Sequence, residues 1–337
     1  MTMKVLVLGG TGFIGSRLCT MLQASGWASA VPASSRGGQG RLKLDARDAA
    51  AVQGALSDAD AVVNCVAGGA DAIERGAQAL AQALAGSPCR RVVHLSTMSV
   101  YGAAEGLLSE DAPLDPGLGW YGAAKVRAES VLSALAADAG ASVTLLRPGC
   151  VAGPGSDQWV GRIGRLLAAG RLGDLGTAGD GWSNLVHVDD VCRAAMRALQ
   201  EGPAPGTARA YNLAAPDSPR WNDYFADLAL AIGATPLPRI HRRQLQLESR
   251  LLGPALQVGR KVLGKLGRDG SGLPDPISGG LLALWHRQQR LDPTRATQEL
   301  GLQWTPYATT VRQGARWFAP GGQEVQHGAQ SRAADRV

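Results

Sequence analysis

The sequence predicts an α/β fold, a doubly wound parallel sheet followed by a smaller second region. Short apolar runs alternate with amphipathic runs of helical length through the N-terminal half, which is typical of parallel strands joined by crossover helices. A glycine-rich turn joins the first strand to the first helix. The 337 residues, 45% of them hydrophobic, are enough to bury a large core.

The first strand, turn and helix form the pattern of an anion-binding site. Residues 5–8 are a buried-strand run, residues 9–15 read GGTGFIG, and residues 16–25 have the apolar spacing of a helix. Glycines allow the backbone to approach a phosphate, and the helix start offers free N–H groups. The glycine spacing is G-x-x-G-x-x-G, not G-x-G-x-x-G. The pattern favours a dinucleotide site over a plain tight turn.

The second predicted strand, residues 28–33, ends beside Ser35 and Arg36. In a dinucleotide fold this strand end faces the adenosine ribose, where an acid binds the 2′-hydroxyl and an arginine accommodates a 2′-phosphate. No acid occupies the position. Arg36 therefore favours NADP, with NAD as the alternative.

The elements that follow alternate between strand and helix. Predicted strands lie at residues 41–45, 60–67, 90–95, 142–146, 185–188 and 210–213. Predicted helices lie at residues 46–56, 73–85, 120–137, 159–169, 189–199, 221–232, 294–300 and 309–318.

The pattern predicts two regions and a tail. Residues 1–150 with about 185–215 form the nucleotide-binding domain, and about 151–184 with 216–318 form a discontinuous substrate-binding region. Residues 319–337 are polar and predict a disordered tail. Residues 239–265 are basic and amphipathic, and either pack on the core through a leucine face or contact a membrane surface.

Composition narrows the partners. The net charge is +6, but the basic residues are dispersed and only three Phe and five Tyr are present, so we expect no nucleic-acid partner. The five cysteines have no metal-ligand spacing and predict buried thiols and no metal site. With no leader or membrane span in the pattern, we expect a cytoplasmic protein, with a homodimer as one arrangement.

Tyr121 and Lys125 lie four residues apart on one predicted helix, so their side chains share a face. A phenol has a pKa near 10, and a neighbouring ammonium is expected to lower it. Tyr121 could then exchange a proton with a substrate oxygen, while Thr97, after the fifth strand, bonds the same oxygen. The alternative is a surface tyrosine beside a solvated lysine.

Six motifs in order resemble the extended short-chain dehydrogenase/reductase family. This family includes NAD-dependent epimerases and dehydratases and the 3β-hydroxysteroid-dehydrogenase-like and dihydroflavonol-reductase-like enzymes. The motifs are GGTGFIG at 9–15, Asp45, LSTMSVYG at 95–102, YGAAK at 121–125, LRP at 146–148 and VHVDDV at 186–191.

The resemblance implies a Rossmann sheet and a role for each matching position. Tyr121 would be the general acid/base, Lys125 would tune it and bind the nicotinamide ribose, and Thr97 would be the catalytic hydroxyl. With Arg36, the implied cofactor-binding residues are Gly9, Gly12, Phe13, Ile14, Gly15, Asp45, Ala46, Ala67, Gly68, Lys125, Pro148 and Val151.

Two positions depart from the family pattern. Residues 65–69 read CVAGG where paired alanines are usual. The loop 179–184 lacks the arginine that sugar-nucleotide enzymes often place there, which disfavours a nucleotide-sugar substrate. The basic segment 239–265 resembles the substrate lids or membrane-contacting insertions of steroid-dehydrogenase-like members.

Three functions remain open on the sequence. The favoured one is an NAD(P)-dependent oxidoreductase that interconverts a ketone and an alcohol on a small, fairly apolar molecule. The second is a nucleotide-sugar epimerase or dehydratase with tightly bound cofactor. The third is a non-catalytic NADP sensor, which the intact Thr97, Tyr121 and Lys125 disfavour.

Overall fold

A computed structural model describes residues 2–265 and 273–319. The disordered tail predicted at 319–337 lies, apart from Ala319, outside these residues. The strands are β1 (Met3–Leu8), β2 (Ala28–Ser34), β3 (Leu42–Lys43), β4 (Ala61–Asn64), β5 (Arg91–Leu95), β6 (Gly106–Leu108), β7 (Ser142–Pro148), β8 (Cys150–Ala152), β9 (Leu185–His187), β10 (Ala208–Leu213) and β11 (Gln289–Leu291). The helices are α1 (Phe13–Ala24), α2 (Ala49–Leu56), α3 (Ala70–Ala85), α4 (Trp120–Ala139), α5 (Arg162–Ala168), α6 (Val188–Glu201), α7 (Trp221–Ile232), α8 (Arg242–Leu247), α9 (Gly253–Lys265), α10 (Gly279–His286), α11 (Thr294–Glu299) and α12 (Tyr307–Phe318).

The chain divides into two compact units. The first comprises Met1–Val151, Val186–Pro216 and Leu291–Thr305, and the second comprises the rest. The segment Leu291–Thr305 lies within the predicted substrate-binding region 216–318. It joins the first unit because its apolar residues enter that unit's core, where Ala296 and Leu300 are fully buried.

A seven-stranded parallel sheet forms the first unit, in the order β10-β7-β5-β4-β1-β2-β3. Alternating side chains of β1 enter different clusters: Val5 and Val7 pack with residues of α1 and α6, and Leu6 and Leu8 with residues of α2 and α3. Helices therefore cover both faces, as a parallel sheet requires. The predicted doubly wound fold is confirmed.

The centre of this sheet is where its strand order reverses. From β1 the chain adds β2 and β3 on one side, then returns to add β4, β5, β7 and β10 on the other. In open α/β sheets, ligands bind beyond the carboxyl ends of the strands at such a reversal. The glycine turn follows β1 at this point.

The second unit is built on helices around an aromatic cluster. Trp221, Phe225 and Trp285 are fully buried, and the ring centroids of Phe225 and Trp285 lie 5.2 Å apart in a T-shaped contact. Trp159 adds a further ring, 5.5 Å from that of Trp221. Within the described residues, no helix combines the length and apolarity needed to cross a bilayer.

Candidate cofactor and catalytic site

The turn after β1 is a bare-backbone site that excludes side chains at three of its glycines, among them Gly9 and Gly15. Gly9 has a φ of +73°, and a Cβ there would lie 2.8 Å from the carbonyl oxygen of Cys65. A Cβ on Gly15 would lie 2.3 Å from the carbonyl oxygen of Gly9. Gly12 is the N-cap of α1 and has no side chain to accept from the first-turn N–H groups. These N–H groups, with the positive end of the helix dipole, suit a pyrophosphate.

The predicted cofactor residues gather at one edge of the sheet. Gly12, Phe13, Ile14 and Gly15 follow β1, Arg36 follows β2, and Ala67 and Gly68 follow β4, while Thr97 follows β5 and Pro148 ends β7, with Val151 three residues on. All these strands are parallel, so their carboxyl ends share this edge. The structure thus brings together residues that are more than a hundred positions apart in sequence.

Arg36 and Asp45 differ in how they are held. Arg36 is exposed just beyond the end of β2. Asp45 accepts hydrogen bonds from Arg47 Nη2 at 2.8 Å and Nε at 3.1 Å, and these bonds lower its pKa to about 2. Arg47 Nη1 also donates to Asp71 at 3.1 Å. Asp45 is therefore an ionised acceptor that Arg47 already engages. Sequence reasoning did not single out Arg47. Ala46, the neighbour of Asp45, is half-buried.

The CVAGG departure after β4 forms an ordered turn. Asn64 Oδ1 accepts from Val66 N–H at 3.0 Å, and Gly68 has a φ of +138°. Burial raises the pKa of Cys65 to about 12, so its thiol stays neutral. In place of paired alanines the turn has Cys65, whose thiol is neutral and whose backbone carbonyl oxygen leaves no room for a Cβ on Gly9.

Thr97 and Tyr121 meet at the start of α4. Thr97 is 8% exposed and caps a short 3₁₀ turn, Met98–Tyr101, by accepting from Ser99 N–H at 3.2 Å. Gly122 lets α4 approach this turn, since a Cβ there would lie 2.7 Å from the Ser99 carbonyl oxygen. The Thr97 side chain lies near the Tyr121 hydroxyl and lowers the pKa of that phenol.

Lys125 lies one helical turn after Tyr121 and is buried, with 2% of its surface exposed. Its Nζ donates to the Leu95 carbonyl oxygen at 2.5 Å, at the end of β5. Burial lowers the pKa of Lys125 to about 8, against weaker raising effects of Cys65 and Glu129. The amine is thus held at the sheet edge, and its lowered pKa brings its titration closer to neutral pH.

The expectation that Lys125 lowers the pKa of Tyr121 is wrong for this structure. Burial raises the pKa of the Tyr121 hydroxyl, and the nearby Thr97 side chain offsets part of this effect. The Lys125 amine instead donates to the Leu95 carbonyl. Tyr121 is therefore a protonated phenol at neutral pH, suited to donate a proton to an oxygen that is gaining negative charge.

A buried ion pair that sequence reasoning missed fixes α4 to the sheet. Arg147 Nη2 donates to Glu129 Oε2 at 2.7 Å and Arg147 Nη1 to the Tyr101 hydroxyl at 2.9 Å. The Tyr101 hydroxyl in turn donates to Asn212 Oδ1 at 2.6 Å. The available signal was spacing, since Glu129 lies four residues beyond Lys125 on the same helix face.

Fold and site together define an extended short-chain dehydrogenase/reductase, with a glycine turn at the strand-order reversal and a tyrosine–lysine pair on one helix. The chain belongs to the NAD dependent epimerase/dehydratase family, which it matches over residues 5–214.

Curated relatives match the chain at modest identity, and two of them are named reductases. The chain is 31% identical over 267 residues to the 2-alkyl-3-oxoalkanoate reductase of Stenotrophomonas maltophilia, covering 71% of this chain and 78% of that protein. It is 32% identical over 281 residues to a 3-diazoavenalumate denitrifying reductase of a Streptomyces species, covering 74% and 88%. It is 28% identical over 251 residues to protein YeeZ of Escherichia coli K12, covering 69% and 86%.

Solved structures share the fold at lower identity. A human epimerase family protein solved with NADPH has a TM-score of 0.70 at 20% identity, covering 93% of this chain and 98% of that one. The UDP-glucose 4-epimerase of Thermotoga maritima, solved with UDP-glucose, also has a TM-score of 0.70 at 20% identity, covering 94% and 98%. These likenesses confirm the Rossmann sheet.

Proposed function

We propose that the protein is an NAD(P)-dependent oxidoreductase that reduces a ketone, or oxidises the corresponding alcohol, on a small and fairly apolar molecule. The observation that carries the proposal is the placement of the Tyr121 hydroxyl near Thr97, with the buried Lys125 amine one turn further along α4. The names of two relatives, both reductases, support this direction of chemistry.

The residues of the chain divide the work of such a reaction. A bound nicotinamide cofactor would supply or accept the hydride. Tyr121, a protonated phenol in this environment, donates its proton to the carbonyl oxygen as negative charge develops there. Thr97 would hydrogen-bond the same oxygen and orient it, and Lys125 would bind the nicotinamide ribose.

Proton return to Tyr121 needs a group that can titrate near neutral pH. The pKa of Lys125, lowered to about 8, is closer to neutrality than that of an ordinary lysine. An amine in this range can exchange a proton near neutral pH.

The preferred cofactor is NADP. Arg36 is exposed beyond the end of β2, and the turn it occupies, residues 35–38, contains no acid to bind a ribose 2′-hydroxyl. A free guanidinium at this place suits the 2′-phosphate, which it can bind through two parallel hydrogen bonds.

The substrate class that we propose rests on a missing nucleotide-sugar feature and on the name of one relative. The loop 179–184 offers no arginine for a diphosphate. One relative, the 2-alkyl-3-oxoalkanoate reductase, is named for a ketone at C3 of a carboxylic acid with an alkyl branch at C2. We therefore place 3-oxo acids with alkyl chains first among candidate substrates.

The test is the Tyr121→Phe variant. Loss of the hydroxyl removes the proton donor, and we expect turnover to fall by about 10²–10⁴-fold while the affinity for NADPH stays within about twofold. NADPH oxidation over a panel of 3-oxo acids and ketones measures turnover, and quenching of protein fluorescence measures cofactor binding. Tyr211→Phe, which removes a hydroxyl that donates to Glu299 in the same unit, is the matched control.

Three results would count against the proposal. Unchanged turnover in Tyr121→Phe would remove Tyr121 from the chemistry. Conversion of a nucleotide sugar with a retained cofactor and no net NADPH consumption would show an epimerase. Cofactor binding without turnover across the whole panel would indicate a sensor.

A further inference from the structure

The second unit leaves an unusual amount of apolar surface exposed in one short segment. Of the ten large apolar side chains that are exposed on the described part of the chain, five lie between residues 247 and 262. Exposed apolar side chains concentrated in one short segment mark a candidate interaction site. The five are Leu247 (51% exposed), Leu251 (62%), Leu252 (45%), Val258 (60%) and Val262 (49%).

These side chains belong to a helical segment with two distinct faces. Helix α8 runs into a five-residue π turn, Glu248–Leu252, which leads into α9. Leu247 and Leu251 are four residues apart, as are Val258 and Val262, so each pair shares a side of the segment. We call the surface formed by the five exposed side chains the 247–262 face.

The inward side of the same segment is well anchored. Leu245 is 4% exposed, and the buried Glu248 carboxylate accepts from Arg171 Nε at 2.9 Å and Nη2 at 2.6 Å. Gly253 packs so closely that a Cβ there would lie 2.6 Å from the Ile277 carbonyl oxygen. The segment is therefore seated on its unit by one side, and the 247–262 face is a second apolar side.

Positive charge borders this face without compensation. Arg242, Arg243 and Arg250 are exposed, and within residues 2–265 and 273–319 no carboxylate forms an ion pair with any of them. Between positions 239 and 265 the only acidic residue is Glu248, which Arg171 already neutralises. A partner of this surface must therefore offer negative charge beside an apolar phase.

We propose that the 247–262 face docks on the surface of an anionic lipid bilayer. The leucines and valines would enter the boundary between headgroups and acyl chains, and the arginines would bind lipid phosphates. A second copy of the chain fits less well, because a two-fold contact would bring the same arginines together. Nucleic acid would satisfy the arginines but gain nothing from the exposed aliphatic side chains.

Vesicle flotation of the full chain tests the proposal, and the readout is independent of catalysis. We expect the protein to float with vesicles that contain phosphatidylglycerol and not with vesicles of phosphatidylcholine alone. Binding should weaken as salt rises, since the arginine contribution is screened. Leu251→Ser combined with Val258→Ser should lower binding about tenfold. Arg243→Gln combined with Arg250→Gln should lower it about fivefold for each charge removed.

Matched controls separate the face from general effects. Leu230→Ser removes a leucine that is 72% exposed on α7, and Arg197→Gln removes an exposed arginine on α6; neither should change flotation. Melting temperatures of all variants check folding, and the arginine pair keeps the test decisive if the serine pair unfolds.

Several outcomes would overturn the proposal. These are equal flotation with both vesicle types, no flotation with either, and unchanged flotation of both double variants. A shift from dimer to monomer in the Leu251→Ser, Val258→Ser variant without vesicles, and no binding to them, would assign the face to a second copy. Salt-sensitive binding of an oligonucleotide with no vesicle binding would assign it to nucleic acid. Turnover, whatever its value, does not enter this test.

Discussion

The two ends of the candidate cofactor site are built from different material. At the glycine turn the groups that would face a ligand are backbone N–H groups, and the side chains are absent because there is no room for them. At the start of α4 the working groups are side chains, Thr97, Tyr121 and Lys125, each oriented by burial and hydrogen bonds. The first end depends on the path of the chain and the second on what packs around it.

This difference sets how each end should respond to substitution. A backbone site fails when any atom is added, because its geometry is the site. A side-chain site tolerates changes of similar shape but loses function when a supporting charge or hydrogen bond is removed. The predictions below test each half of this contrast.

The largest expected effect is at the support of the side-chain end. Glu129→Gln leaves Arg147 as an uncompensated buried charge, and we expect a loss of about 3–5 kcal/mol in the free energy of unfolding. Urea denaturation followed by circular dichroism measures it. Glu74→Gln removes a carboxylate that pairs with the exposed Arg127 and should cost less than about 1 kcal/mol. Similar losses in the two variants would contradict a special role for the buried pair.

Lys125 gives the same end a pH signature. The pKa of Lys125 is about 8 in the folded protein and near 10.4 in the unfolded chain. Between these two pH values the unfolded chain therefore binds more protons than the folded protein. Stability should therefore rise with pH across this window, by about 3 kcal/mol at most from this residue. Lys125→Met should abolish that rise, and Lys43→Met, at an exposed lysine, should keep it. Denaturation midpoints at several pH values decide between these outcomes.

The backbone end is tested by adding a single methyl group. Gly15→Ala places a Cβ against the Gly9 carbonyl, so the turn must shift; we expect about 1–3 kcal/mol of destabilisation and a marked loss of cofactor affinity. Gly54→Ala, in α2 with nothing within 4 Å of the new Cβ, should instead stabilise by about 0.5–1 kcal/mol. Thermal melting with and without NADPH measures both. Equal melting temperatures and equal NADPH affinity for the two variants would show that the glycine turn tolerates an added methyl group.

The smallest expected effect concerns Arg36. Its side chain would contact the cofactor at the glycine-turn end of the site, where the other contacts come from the backbone. Arg36→Ala should lower NADPH affinity about tenfold and leave NADH affinity unchanged, since only NADPH has the 2′-phosphate. Isothermal titration with both cofactors measures the ratio. Arg75→Ala, an exposed arginine on α3, is the control. An unchanged ratio in Arg36→Ala would mean that another group selects the cofactor.

The sequence predicted the glycine turn and the parallel sheet because both depend on local patterns. Apolar runs, glycine positions and the four-residue spacing of Tyr121 and Lys125 can be read within one window of the chain. The family motifs then fixed their order. The short strands β6, β8 and β11 were missed because three residues have no recognisable period.

The features that the sequence did not predict depend on partners distant along the chain. Glu129 meets Arg147, and Tyr101 meets Asn212 from 111 positions away. The upward shift of the Tyr121 pKa follows from burial, and the spacing of residues on a helix does not reveal burial. The place of Leu291–Thr305 in the first unit likewise rests on core contacts with strands far upstream.

The hydrogen bonds from Glu129 through Arg147 and Tyr101 to Asn212 also bear on the order of assembly. Their last member lies on β10, the outermost strand of one side of the sheet and the last strand added to it along the chain. Contacts of such long sequence separation close a long loop, which costs entropy before the contact repays it. The glycine turn is complete once β1, α1 and β4 associate, whereas the buried support of α4 is complete only after β10 has joined. A growing chain would therefore acquire the groove for a nucleotide well before it acquires a fully supported catalytic helix.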